Sequence, residues 1–129
     1  MRYLHTMIRV TDLERSKRFY TEGLGFTLAS ERRYEEGRFT LAFLRAPGDP
    51  EGGPMIELPN NWDTASYERG NAYGHVAYRV PSIADVQARL RKGGWDLSWG
   101  PGKTPDGLRA MAFVDDPDGY EIELLEGAD

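Results

Sequence analysis

The 129-residue chain predicts an α+β protein of two tandem modules, each a strand, a helix and then three strands, βαβββ. Three observations carry this. The chain repeats itself at a nearly constant offset. Strand-like alternation of apolar and polar residues recurs in both copies. A helical apolar stripe follows the first strand of each copy.

The repeat is read by setting "LHTMIRVTDLERSKRFYTEGLG", from Leu4, beside "GHVAYRVPSIADVQARLRKGGW", from Gly74. At an offset of 70, His5 meets His75, Arg9 meets Arg79, Val10 meets Val80, Leu13 meets Ile83 and Gly23 meets Gly93. "LAFL" at Leu41 to Leu44 meets "MAFV" at Met111 to Val114 at the same offset. "MIEL" at Met55 to Leu58 meets "EIEL" at Glu121 to Leu124 at 66, so the second copy has a loop four residues shorter. Each copy is only about 60 residues, small for independent folding. One domain over residues 1–129 is therefore expected, with modules at about 1–60 and 73–126 and a polar linker at about 59–73.

The elements follow in order. β-branched and aromatic residues alternate through "YLHTMIRV" and "YGHVAYRV", the first strand of each copy. Thr11 with Glu14 and Ser82 with Asp85 place an N-cap hydroxyl three residues before a carboxylate, which starts a helix. Leu13, Phe19 and Tyr20, and then Ile83, Val86 and Leu90, recur at helical spacing. Gly23 and Gly93 stand where a left-handed C-cap is expected. "TLAFL" and "PMIEL" read as strands around "RAPGDPEGG". "RAMAFV" and "YEIELLE" read as a hairpin around "DDPDG", in which Pro117 pre-sets the turn and Gly119 takes positive φ.

Composition limits the function classes. The chain is 40% hydrophobic, enough for a core. A net charge of −5 and a pI near 5.1 argue against nucleic acid and against an anionic membrane surface. No apolar run approaches a membrane span, and the strand pattern at the N-terminus leaves no place for a signal peptide. The absence of cysteine excludes disulfides, thiolate nucleophiles and Cys-type zinc sites, and makes a cytoplasmic location the default expectation.

His5 and His75 are the only histidines in the chain. One histidine on a strand is usually there for packing; two at matched repeat positions are not. Glu57 and Glu123 are matched in the same way on the last strand of each copy, and the repeat singles out Glu123 over Glu121. Two neutral imidazoles and two carboxylates balance a divalent cation, and this N/O set suits Zn, Ni, Co, Mn or Fe rather than Ca or Mg. Four protein ligands on an octahedral ion leave two positions for water or substrate.

The stretches "LHTMIRVTDLERSKRFYTEGLGF", "IELPNNWD", "YGHVAYRV" and "AFVDDPDGYEIELLE" closely resemble the glyoxalase I, or lactoylglutathione lyase, family of the vicinal oxygen chelate superfamily. The resemblance runs from Met1 to Glu126. It implies paired βαβββ modules whose curved, mixed sheets enclose a metal, in a homodimer with sites at the interface. His5 and Glu57 of one chain would join His75 and Glu123 of the other. The implied substrate is the hemithioacetal of methylglyoxal and glutathione, and the implied product is S-D-lactoylglutathione. The implied chemistry is proton transfer through a metal-stabilised enediolate, with Glu123 as main base and Glu57 as ligand and second acid/base. Arg9 and Asn61 match positions that hold the tripeptide, and Lys103, in the loop "GPGKTPDG", takes the part of a mobile-loop cation. The compact chain beginning "LHTM" resembles the bacterial class active with Ni²⁺ or Co²⁺, so nickel is expected, with cobalt or zinc as alternatives. Competing readings are another metal-dependent enzyme of the superfamily (an epimerase, a dioxygenase or a thiol transferase) and a non-enzymatic small-molecule binding module.

Overall fold

A computed structural model describes residues 1–128. The chain divides into two compact units, Met1–Glu68 and Arg69–Asp129. The first unit runs β1 (His5–Met7), α1 (Leu13–Arg18), β2 (Thr27–Tyr34), β3 (Phe39–Arg45) and β4 (Met55–Asn61). The second runs β5 (His75–Val80), α2 (Ile83–Lys92), β6 (Trp99–Lys103), β7 (Ala110–Asp115) and β8 (Glu121–Glu126). Each unit is βαβββ, as the repeat predicts. The sheets have the orders β1-β4-β3-β2 and β5-β8-β7-β6. In both, the first strand lies parallel to the last while the other pairs are antiparallel, so the sheets are mixed.

Alternation decides which face is buried. Along β3, Thr40, Ala42 and Leu44 are buried while their neighbours are half-exposed, and Ile56 and Leu58 continue the buried face on β4. Phe19 and Tyr20, both almost wholly enclosed, belong to the same core. In the second unit Ala112, Val114, Ile122 and Leu124 form the equivalent buried face, with Ile83 and Leu90 on α2. The opposite face of each sheet is left to the polar and aromatic side chains that concern function.

The helix ends differ in detail from the sequence expectation. Asp12, not Thr11, caps α1, its carboxylate accepting the Arg15 N–H at 3.1 Å. The capping residue must be extended just ahead of the first helical residue, and that place falls one residue later than the hydroxyl. Ser82 caps α2 as expected, accepting from the Asp85 N–H. α1 is only six residues long and then widens into a π-helical turn over Phe19–Gly23, where Leu24 N–H reaches the Phe19 carbonyl. The wider turn lets the consecutive rings of Phe19 and Tyr20 both bury, packed edge to face at 5.1 Å. The same turn carries the chain past Gly23, and the left-handed residue is Gly25, at φ 80°. In α2 it is Gly94, at φ 92°, while Gly93 is right-handed. Gly93 is needed for a different reason, since a Cβ there would collide with the Trp95 ring.

Two further expectations are corrected. β4 runs on through Pro59 to Asn61, so residues 59–61 are strand and not linker. Pro59 fits because its carbonyl accepts from Val10 N–H and needs no donor in return. Lys103 ends β6 and is not in a free loop. The hairpin turn between β7 and β8 follows expectation, with Gly119 at φ 86°. The nearly buried Asp116 reinforces it, its Oδ1 accepting from the N–H groups of Asp118 and Tyr120, each at 2.9 Å.

Asp12→Ala is expected to lower unfolding stability by about 1 kcal/mol, more than Thr11→Ala does, in denaturant titrations. A second test uses pH. Hydrogen bonds from Gln87, the Leu97 N–H and Arg91 hold the Asp96 carboxyl below its ordinary range. Its contribution is therefore complete above the unfolded value and is lost as pH falls through the lower folded one. Asp96→Asn should flatten the acid limb of the stability profile below about pH 4 and leave the neutral limb's shape unchanged.

Candidate functional site

In each unit the parallel first and last strands put a histidine one residue row below a glutamate. In the first unit Met7 pairs with Glu57, two residues on from the pairing of His5 with Met55. The His5 Nε2 and Glu57 Oε1 atoms face each other at 3.5 Å, with side chains 38% and 15% exposed. In the second unit His75 Nε2 faces Glu123 Oε2, again at 3.5 Å, with exposures of 40% and 16%. Phe43 lies directly across from Glu57, and its ring meets His5 edge to face at 5.4 Å. Phe113 stands in the same relation to Glu123 and meets His75 at 5.5 Å.

A separation of 3.5 Å is too long for a good hydrogen bond between the two side chains. Donors about 2.0–2.2 Å from one cation lie about 2.8–3.1 Å apart at octahedral angles and about 3.3–3.6 Å apart at tetrahedral ones, so the pair is within a small side-chain adjustment of sharing one ion. An imidazole nitrogen with a carboxylate oxygen suits a first-row divalent ion. The residues therefore fit a metal, and they fit it as pairs. Among the described residues, no group of three or more His, Asp or Glu is placed to hold an ion. Each unit presents a two-donor half-site.

Glu121 illustrates how the structure separates two acids that alternate on one strand. It meets His75 Nδ1 at 3.9 Å and is 49% exposed, whereas Glu123 faces Nε2 and is largely covered. Their equivalents in the first unit are Met55 and Glu57, so only the glutamates that the repeat matches occupy matched places.

The rows of the first unit show what surrounds its pair. Next to His5 come Met55 on β4 and Arg45 on β3; the Arg45 Nη2 reaches the Met55 sulfur at 3.6 Å, and its buried Nε has no hydrogen-bond partner. Beside Met7 come Glu57, Phe43 and Ser30. The parallel ladder continues past β1 through bonds from Ile8 N–H to Glu57 and from Val10 N–H to Pro59. Arg9 thereby stands on the Glu57 face, while Ile8 and Val10 are buried on the other. Its row continues through Pro59 and Leu41 to Arg32. The last row holds Asn61, Phe39 and Tyr34, with Asn61 Nδ2 donating to the Tyr67 hydroxyl at 3.0 Å.

In the second unit the row of His75 continues through Glu121 to Asp115. A cavity of about 440 Å³ opens there, lined by Ser98, Trp99, Phe113, Asp115 and Glu121. A cavity of about 500 Å³ in the first unit is lined by Glu31, Arg33, Thr40, Asn60 and Trp62 among others, and touches neither His5 nor Glu57. Lys103 pairs with Ala110, one step from the Gly102–Met111 pair. Alternation sends it to the face opposite Met111 and Phe113, away from His75.

Sequence reasoning thus named His5, Glu57, His75, Glu123, Arg9 and Asn61, and the structure places each on the open face of its unit. It missed Phe43 and Phe113, although "LAFL" and "MAFV" put them at the same offset as the histidines. It also missed Arg45, Arg32 and Tyr67, for which cross-strand register is the only guide.

A duplicated βαβββ frame with a His–Glu pair on the open face of each copy defines a class of α+β proteins with two chelating half-sites. A family model described as Glyoxalase/Bleomycin resistance protein/Dioxygenase superfamily matches residues 2–124, and the chain belongs to that superfamily. It is 44% identical to the lactoylglutathione lyase of Neisseria meningitidis over 126 residues, 98% of this chain and 91% of that protein. Glyoxalase I of Leishmania major, described as trypanothione-dependent, superposes with a TM-score of 0.81 at 41% identity over 98% of this chain and 86% of its own. Glyoxalase I of Zea mays superposes with a TM-score of 0.91 at 33% identity over 99% of this chain, which spans 45% of the maize chain.

Arg45→Leu removes a buried, unpartnered donor while keeping apolar bulk. Unfolding stability should be unchanged or up to about 1 kcal/mol higher, measured by thermal denaturation.

Proposed function

We propose that this protein is a lactoylglutathione lyase that isomerises the hemithioacetal of methylglyoxal and glutathione to S-D-lactoylglutathione. The supporting observation is the pair of matched half-sites, His5–Glu57 and His75–Glu123, in a chain 44% identical to proteins of that name. Two donors are too few to hold a divalent ion firmly, and four of this kind balance its charge. As the resemblance to the family implies, the complete site is proposed to form in a homodimer, from His5 and Glu57 of one protomer and His75 and Glu123 of the partner subunit. Nickel is the preferred ion, with cobalt or zinc as substitutes, and the enzyme works in the cytoplasm.

The ion, when bound, offsets the negative charge that develops on the substrate's two adjacent oxygens. The remaining work falls to side chains. Glu123 takes the proton from the thiol-bearing carbon and returns it to the neighbouring carbon, a net 1,2 shift that leaves a thioester. Its carboxylate is largely covered, which limits proton exchange with water. Glu57 serves as ligand and second acid/base. Phe43 and Phe113 fix the imidazole rings and keep apolar surface beside the reacting carbons. Arg9 and Asn61 hold carboxylate and amide groups of the tripeptide.

Metal-stripped protein reconstituted separately with Ni²⁺, Co²⁺ and Zn²⁺ should form thioester from methylglyoxal and glutathione, fastest with Ni²⁺. Inactivity with all three ions would refute the reading, and a zinc optimum would refute only the metal preference. Glu123→Gln should cost roughly 100-fold or more in kcat while retaining part of the metal. Arg9→Ala should raise KM about 10-fold with metal content unchanged.

A further inference from the structure

We propose that Arg32 selects which 2-oxoaldehydes the site accepts, by binding an anionic group on the aldehyde-derived end of the substrate. The proposal rests on the isomerase reading above and deepens it.

Arg32 and Arg9 close opposite ends of one row. Between them lie Pro59 on β4 and Leu41 on β3, an apolar floor next to the row of Glu57 and Phe43. Strand and residue spacings put the Arg32 Cα on the order of 12 Å from that of Glu57, on the same face. If the tripeptide lies toward Arg9 and Asn61, at the β1–β4 side, the aldehyde substituent is directed along Phe43 and Leu41 toward β2. Methylglyoxal has only a methyl group to place there. Arg32 waits beyond it.

The guanidinium is arranged to receive a ligand. It lies over the Tyr34 ring at 5.3 Å, and Tyr34 is itself stacked on Phe39 at 4.8 Å with the planes 19° apart. A guanidinium resting on an aromatic platform turns its N–H edge outward, in the geometry that takes a carboxylate with two parallel hydrogen bonds. Three of the neighbouring acids are engaged elsewhere. Glu31 pairs with Lys17, Glu35 with Arg33 and Asp63 with Arg38. Among the described residues no carboxylate meets Arg32, whose recorded contact is the Tyr34 ring. Arg33, one residue on, points the other way and lies over Trp62 at 4.3 Å. In this pair of adjacent arginines, only the one on the Glu57 face lacks an acid.

The test uses the full-length, metal-loaded protein with Arg32→Leu and Arg32→Lys. Binding of S-benzylglutathione and S-(4-carboxybenzyl)glutathione is measured by calorimetry, and turnover is followed with methylglyoxal, phenylglyoxal and 4-carboxyphenylglyoxal. Arg32→Leu should weaken the carboxybenzyl ligand and lower kcat/KM for the carboxylated aldehyde by about 10-fold or more, with less than about twofold change for the uncharged partners. Arg32→Lys should fall between, since a point charge keeps attraction but loses the bidentate fit. Equal weakening of both ligands would assign Arg32 to the tripeptide's own carboxylates and overturn the proposal. Unchanged discrimination in Arg32→Leu would overturn it as well. Retained ligand discrimination in a protein that cannot turn over methylglyoxal would support the anion subsite and sink the isomerase reading alone.

Discussion

In each unit the first strand lies parallel beside the last, and the pleat gives every strand a two-residue period. These two facts together bring a histidine near residue 5 or 75 to a glutamate about fifty residues further along. A shift of one residue in that parallel pairing would turn Glu57 into the core and Ile56 out of it. The buried face prevents the slip. Ile56 and Leu58, or Ile122 and Leu124, stay with the core only in the register that aims the glutamates at the histidines. Packing on one side of the sheet thus sets the geometry of the chemistry on the other, and the site needs no dedicated scaffold.

That link explains what could be read from the chain before its structure. Side-chain facing is a local property, so alternation placed His5, Glu57, His75 and Glu123 on their strands, and the repeat matched Glu57 to Glu123, the acid of "YEIEL" that faces His75 Nε2. The N-cap at Ser82 and the turn at Gly119 are local signals too. The misses share a different cause. Asp12 displaced Thr11 as cap because the helix begins one residue later than the hydroxyl, and Gly25 displaced Gly23 because a π turn that buries two adjacent rings extends the helix end. Lys103 read as loop because a glycine- and proline-rich segment hides a strand that exists only by pairing with β7. Arg32 and Arg45 lie in rows with residues far along the chain, and no local pattern reports such neighbours.

The surface electrostatics are arranged by occupation more than by number. The chain is acidic overall, yet three acids near the β2–β3 hairpin, Glu31, Glu35 and Asp63, are each taken up by a lysine or arginine partner. Exposed pairs of this kind add little stability. Their effect is on availability: they determine which charges a visiting molecule finds unengaged. Arg38 holds the Asp63 carboxyl below its ordinary range in the same way, by hydrogen bonds to both oxygens.

The duplication is close in its donors and broken just beside them. Where one copy continues from histidine through Met55 to Arg45, the other continues through Glu121 to Asp115. The charge beside the donors is therefore of opposite sign in the two copies, cationic next to His5 and anionic next to His75, so a molecule with unlike ends meets a different neighbour at each half-site.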